Sequence, residues 1–185
     1  MPRRTQRYSK IGDTMKTIDL SGKWNYKTDI DNSQTIDSIK FENNNFNLPG
    51  STCDNRIGKK TEYFDKISKE AVRAPRERYE YIAPLWLQKT VSIPNDTDGK
   101  TVRLFMERVN IASELWIDGV KTDRQIIELS TPHIYNLTGK ITPGEHKFTL
   151  KIDNRNLLKL DTMASGYSVD TQGYWNGVIG RIELQ

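Results

Sequence analysis

Asp170-Thr171-Gln172-Gly173-Tyr174-Trp175-Asn176-Gly177 is the stretch of this 185-residue chain richest in binding chemistry. It sets carboxylate, hydroxyl and carboxamide groups beside two aromatic rings. A sugar ring needs that combination, with flat aromatic faces for its C–H patches and planar polar groups for its hydroxyls. Asp170, Thr171, Gln172, Tyr174, Trp175 and Asn176 are therefore the candidate substrate-contacting residues, with a carbohydrate as the ligand class. A reading of equal weight has Tyr174 and Trp175 packing against a neighbouring domain.

The remaining reactive side chains are sparse. Cys53 is the single cysteine, so an internal disulfide or a cysteine-paired zinc site cannot form. His133 and His146 lack metal-spaced partners, and His133, after Thr131-Pro132, is expected to be a hydrogen-bonding loop residue. Asp54, Glu62 and Asp65 do not have calcium-loop spacing. Neither a metal nor a cofactor is expected. Glu107-Arg108 ends an apolar strand and reads as an edge or interdomain ion pair, worth little if exposed.

The net charge is +4, and much of the excess lies in residues 1–10 and in Arg73-Ala74-Pro75-Arg76-Glu77-Arg78. Glu77 interrupts the second run. A solvated tail and loop explain this better than a nucleic-acid surface, which shows a denser stripe with interleaved aromatics. No apolar run approaches the ~20 residues needed to cross a bilayer, so no membrane partner is expected. The basic start Met1-Pro2-Arg3-Arg4 is not followed by an apolar region, so it is not an intact signal peptide. The signal of an exported parent would lie outside this chain, and the compartment stays open.

The elements that must position these residues are strands. Residues 1–15 have no periodicity and are expected to form a disordered leader, with one domain over 16–185. Lys23-Trp24-Asn25-Tyr26-Lys27-Thr28 alternates aromatic and polar residues, as a half-buried strand does. Residues 29–45 are polar and are expected to be mostly loop. Phe46-Asn47-Leu48-Pro49-Gly50-Ser51 reads as a short strand ended by a Pro-Gly turn. Residues 52–80 read as a long charged loop, with a short helix over 62–69 as its one candidate element. Leu85-Trp86-Leu87-Gln88-Lys89-Thr90-Val91-Ser92-Ile93 and Thr101-Val102-Arg103-Leu104-Phe105-Met106-Glu107-Arg108-Val109 are expected to pair as an antiparallel hairpin. Asp118-Gly119 marks a tight turn after Trp116-Ile117. His146-Lys147-Phe148-Thr149-Leu150-Lys151-Ile152 alternates strictly, and Val178-Ile179-Gly180-Arg181-Ile182-Glu183-Leu184 closes the chain. Many short strands between frequent turns, without long helical periodicity, predict an all-β sandwich or barrel. Trp24 and Trp116 are expected in its core, since aromatic rings bury the most area.

Seven segments in order carry a resemblance. They are Leu20-Ser21-Gly22-Lys23-Trp24, Leu48-Pro49-Gly50-Ser51 and Tyr81-Ile82-Ala83-Pro84-Leu85-Trp86-Leu87-Gln88-Lys89; then Leu104-Phe105-Met106-Glu107-Arg108-Val109, Trp116-Ile117-Asp118-Gly119 and Thr131-Pro132-His133; and last Gly173-Tyr174-Trp175-Asn176-Gly177-Val178-Ile179-Gly180-Arg181-Ile182-Glu183-Leu184. Together they resemble the N-terminal sugar-binding domain of glycoside hydrolase family 2, which includes β-galactosidases, β-glucuronidases and β-mannosidases. Leu87 and Lys89 stand where that family more often has Tyr and Arg.

The resemblance implies a jelly-roll β-sandwich, galactose-binding-domain-like, from a larger, β-galactosidase-like enzyme. Its partners would be that enzyme's immunoglobulin-like domains and catalytic barrel, and its contact with carbohydrate alone would be weak. In the family the loop matching 170–177 leans over the barrel, and some members place a substrate-contacting Asp there. An ungapped match puts Thr171 at that place, with Asp170 one step before. The family draws its two catalytic carboxylates from the barrel, one within an Asn-Glu pair. This chain has no Asn-Glu dipeptide and is too short for a barrel of ~250 residues, so no turnover is expected from it alone. The alternatives are a free-standing carbohydrate-binding module, with its site in residues 52–80, and a protein-interaction domain marked by Trp175.

Overall fold

A computed structural model describes residues 16–61, 77–161 and 174–185. The expected leader (1–15), the expected helix (62–69), and Asp170, Thr171 and Gln172 lie outside the described residues.

The strands are β1 (Ile18–Asp19), β2 (Gly22–Thr28), β3 (Glu42–Leu48), β4 (Gly50–Ser51), β5 (Lys59–Lys60), β6 (Tyr79–Glu80) and β7 (Pro84–Ile93), then β8 (Arg103–Val109), β9 (Ala112–Ile117), β10 (Val120–Lys121), β11 (Ile126–Ile127), β12 (His133–Asn136), β13 (Gly144–Asp153) and β14 (Gly177–Leu184). Among the described residues they form two large antiparallel sheets. One runs β1-β14-β8-β12, with β4 also on β14; the other runs β10-β9-β13-β7-β2-β3, with β11 also on β9. Strands β5 and β6 pair separately and bracket the charged segment between them. From β7 to β9, and again from β12 to β14, each long strand lies in the opposite sheet from the one before it. That alternation is the winding of a jelly roll, so the all-β sandwich expected from the sequence is the fold observed.

Period-two alternation sends one face of each strand inward. Leu85, Leu87, Val91 and Ile93 of β7, Leu115 and Ile117 of β9, and Phe148, Leu150 and Ile152 of β13 meet Leu104 and Met106 of β8 and Val178, Ile182 and Leu184 of β14. Each such side chain, fully buried, contributes roughly 1.5–3 kcal/mol of transfer free energy. Trp24 is in this core, as expected.

Two expectations are corrected. β7 and β8 do not form a hairpin. Both edges of β7 are occupied, by β13 over ten residue pairs and by β2. Residues 94–102, including a 3-10 turn at Asn95–Thr97, carry the chain to the other sheet. A tight hairpin would have put the apolar faces of β7 and β8 side by side, whereas the crossing sets them face to face, about 10 Å apart. The polar stretch 29–45 is mostly loop, as expected, with β2 supplying a pairing edge only from Glu42 onward. Second, the expected strand from Phe46 to Ser51 is two, since the chain leaves the larger sheet at Leu48 and joins β14 at Gly50.

Trp116 is buried as expected, but not with the sandwich core. It stacks on Trp86 with ring centroids 5.1 Å apart, on the opposite face of the larger sheet. The Lys151 and Lys121 ammonium groups sit 5.1 and 5.5 Å over the Trp86 and Trp116 rings. Those rings are covered and offer no open sugar platform.

Candidate functional site

The starts of β7, β9 and β14 and the ends of β4, β8 and β13 meet at one end of the sandwich. Three asparagines organise it. Asn154 follows β13 and is wholly buried. Its Nδ2 donates to the Tyr174 carbonyl at 2.7 Å and to the Tyr81 carbonyl at 2.8 Å, and its Oδ1 accepts from the Ala83 N–H at 3.1 Å. Asn176, equally buried, donates from Nδ2 to the Ala83 carbonyl at 2.7 Å and to Asn154 Oδ1 at 3.2 Å. Asn110, at the corner between β8 and β9, donates to the Trp175 carbonyl at 2.9 Å. The backbone of Tyr174-Trp175-Asn176 is thereby fixed from three sides. Asn154 uses both ends of its carboxamide, donating and accepting in a region that excludes water, whereas Asn110 and Asn176 act through Nδ2 alone.

Tyr174 and Trp175 are half-buried on this frame. Asn176 points inward, and its Nδ2 is engaged with the protein. Of the six expected contact residues, the described part of the structure thus brings Tyr174, Trp175 and Asn176 to one place.

Asp153 and Arg155 brace the same end. The Arg155 guanidinium grips the buried Asp153 carboxylate through contacts of 2.7, 2.9 and 3.1 Å. Asp29 lies below, accepting from Trp86 Nε1 at 3.1 Å and from the Ser33 N–H at 2.8 Å. Tyr81 donates to the Pro84 carbonyl at 2.7 Å, and burial pushes its phenol pKa up.

Sequence reasoning missed Asn154 and Glu77. No sequence signal marks Asn154, because what sets it apart is its burial directly after Ile152 and Asp153. In the sequence Glu77 marks only a break in a basic run. Burial first, and then the Asp54 carboxylate, push its pKa up to about 7, and its Oε2 is buried without a partner. The Asp54 carboxylate itself accepts from the Ser51 N–H and hydroxyl at 2.7 and 2.9 Å. Thr52 Oγ1, Asn110 Oδ1 and Asn176 Oδ1 are likewise buried and unpartnered.

Glu107 pairs with Arg181 at 3.0 Å rather than with its neighbour Arg108, and the pair lies not at an edge, as expected, but on the outer face of the smaller sheet between the interior strands β8 and β14. His133 is the hydrogen-bonding residue expected, but it is buried and opens β12 instead of lying in a loop. Its Nδ1 is 2.6 Å from Ser113 Oγ. A serine beside a histidine nitrogen resembles a nucleophile and its base, but substrate cannot reach either buried atom. Among the described residues, no group of three or more His, Cys, Asp or Glu side chains is placed to hold a metal ion.

No protein-family model matches the chain, and no curated relative does. Solved structures do. A β-glycosidase from Bacteroides vulgatus matches with a TM-score of 0.62 and 18% identity, over 92% of this chain and 20% of that one. A β-glucuronidase from an uncultured Clostridium sp. matches with a TM-score of 0.63 and 13% identity, over 97% and 30%. The β-glucuronidase of Faecalibacterium prausnitzii matches with a TM-score of 0.63 and 16% identity, over 96% and 32%. The chain therefore has the fold of a stretch making up a fifth to a third of these glycosidase chains.

Proposed function

We propose that this chain is the non-catalytic sugar-binding domain of a family 2 glycoside hydrolase, buttressing the catalytic barrel and lending the Tyr174–Trp175 segment to the rim of its active site. The observation that carries this reading is the frame of Asn110, Asn154 and Asn176, which holds that segment at one end of the sandwich. The nearly full-length fold match to part of several glycosidases supports it. The parent enzyme hydrolyses β-glycosides with two carboxylates of its barrel. Contacts remote from those carboxylates raise its rate by fixing the orientation of the sugar. The sequence resemblance favoured a β-galactosidase-like parent, whereas two of the neighbours are named β-glucuronidases.

Titration calorimetry of the purified chain with galactose, glucuronic acid and mannose tests this, alongside hydrolysis of the matching aryl β-glycosides. With half the pocket absent, binding should be no tighter than about millimolar, and turnover should be absent. Tight binding would instead indicate a self-sufficient carbohydrate module, and turnover would overturn the assignment.

A further inference from the structure

The outer face of the larger sheet sets lysines in two facing rows. β7 runs between β2 and β13, and the register fixes what stands on either side of it. Trp86 lies between Lys27 and Lys151. Two residues on, Gln88 lies between Asn25 and Thr149. Two further on, Thr90 stands beside Lys147, and counting back along β2 from Asn25 sets Lys23 level with it. Side chains two apart on a strand share a face, so all of these point outward with Trp86. Lys23 and Lys27 form one rail, and Lys147 and Lys151 the other. With two strand spacings between them the rails are about 10 Å apart, and each is about 13 Å long.

The floor between the rails is polar and uncharged. Gln88 donates from Nε2 to Thr149 Oγ1 at 2.9 Å. Asn25 is half-buried, and Thr90 is exposed. Trp86 is closed off, because Lys151 Nζ sits 5.1 Å over its ring while donating to Asn32 Oδ1 at 2.8 Å. Lys23 and Lys147 are exposed. On the neighbouring strand β9 and its turn, the carboxylates are already engaged, Glu114 with Lys121 and Asp118 with His146. Glu145, opposite Ser92, stands two residues beyond Lys147 and bounds that end of the trough.

Charge and hydrogen bonding together define what fits here. Four ammonium groups in two rows attract an extended polyanion. A floor without an open ring gives nucleic-acid bases nothing to stack on, and it denies a neutral glycan the aromatic face that its C–H patches need. Carboxamides and hydroxyls between two cationic rails match a chain that carries hydroxyls and carboxylates on every unit.

We propose that this trough binds an acidic polysaccharide, a polyuronate lying along β7 with its carboxylates on the lysine rails and its hydroxyls on the polar groups between them. The trough is on the face of the sandwich, away from the Tyr174–Trp175 segment at its end, so the inference does not rest on the chain serving a glycosidase barrel.

Calorimetry and NMR of the whole chain with short oligogalacturonates test this. Binding is expected at about 20 mM salt and should weaken about tenfold at about 300 mM, because the rails face water and are screened. Amide shifts should concentrate in 23–27, 86–90 and 147–151. The double variant Lys23→Glu, Lys147→Glu, with both changes at exposed positions, should weaken binding about tenfold or more. Neutral cello-oligosaccharides and a single-stranded oligodeoxynucleotide of equal charge should bind far more weakly. Absence of oligogalacturonate binding at low salt, or unchanged affinity in the double variant, would overturn the proposal. Equal affinity for the oligonucleotide would overturn it too, since the face would then attract any polyanion. Shifts confined to 174–178 would put the ligand at the asparagine end instead, and that outcome needs no variant.

Discussion

Asn154 shows how much one side chain can organise. Truncating it to alanine leaves the Ala83 N–H and the Tyr81 and Tyr174 carbonyls without this partner, in a region closed to water. Each buried polar group left unmet costs about 1–3 kcal/mol, so Asn154→Ala should lose about 3 kcal/mol or more in denaturant unfolding. Glu77 is expected to behave in the opposite sense. Its folded-state pKa of about 7 lies above the ordinary carboxyl value. The native protein therefore holds that proton more tightly than the unfolded chain, and stability falls as pH rises towards 7. Glu77→Gln removes the penalty. Thermal midpoints of variant and parent should coincide near pH 4, and the variant's should be higher near pH 8. Neither role could be read from the chain, because burial sets both and neither residue belongs to a motif.

At the scale of elements, the legible features were local. Asp118-Gly119 announced its turn, and Val120 does pair with Ile117 across it, with both turn residues at positive φ. What stayed hidden was which sheet each strand joins. The alternation of β7 and β8 describes their inward faces equally well in a hairpin or across a sandwich, and only partners distant in sequence decide between the two. Gly177 illustrates such a distant constraint. At its φ of +142°, an added Cβ would lie 2.3 Å from the Gly50 carbonyl oxygen of β4. Gly119, at +83°, has open space around it. Gly119→Ala should therefore cost about 1 kcal/mol, for backbone strain alone. Gly177→Ala should cost about 3 kcal/mol, since β4 must also shift away from β14. Chemical unfolding of both variants measures the difference.

For the molecule as a whole, turn dipeptides and strand periodicity were enough to reach the all-β sandwich. The candidate segment was legible as chemistry, with two aromatics among polar groups, but not as geometry. Nothing in the sequence told that Asn176 turns inward while Tyr174 and Trp175 stay half-exposed. That difference arises because Asn176 reaches Ala83, 93 residues earlier in the chain. The proposal that this sandwich serves a glycosidase barrel makes a further demand, because the rim of a pocket needs the rest of the pocket. Reading the gene beyond the codon for Gln185 tests it most directly. The account predicts an open frame running in register through an immunoglobulin-like domain into a barrel that carries two carboxylates. A stop codon directly after Gln185 would contradict it.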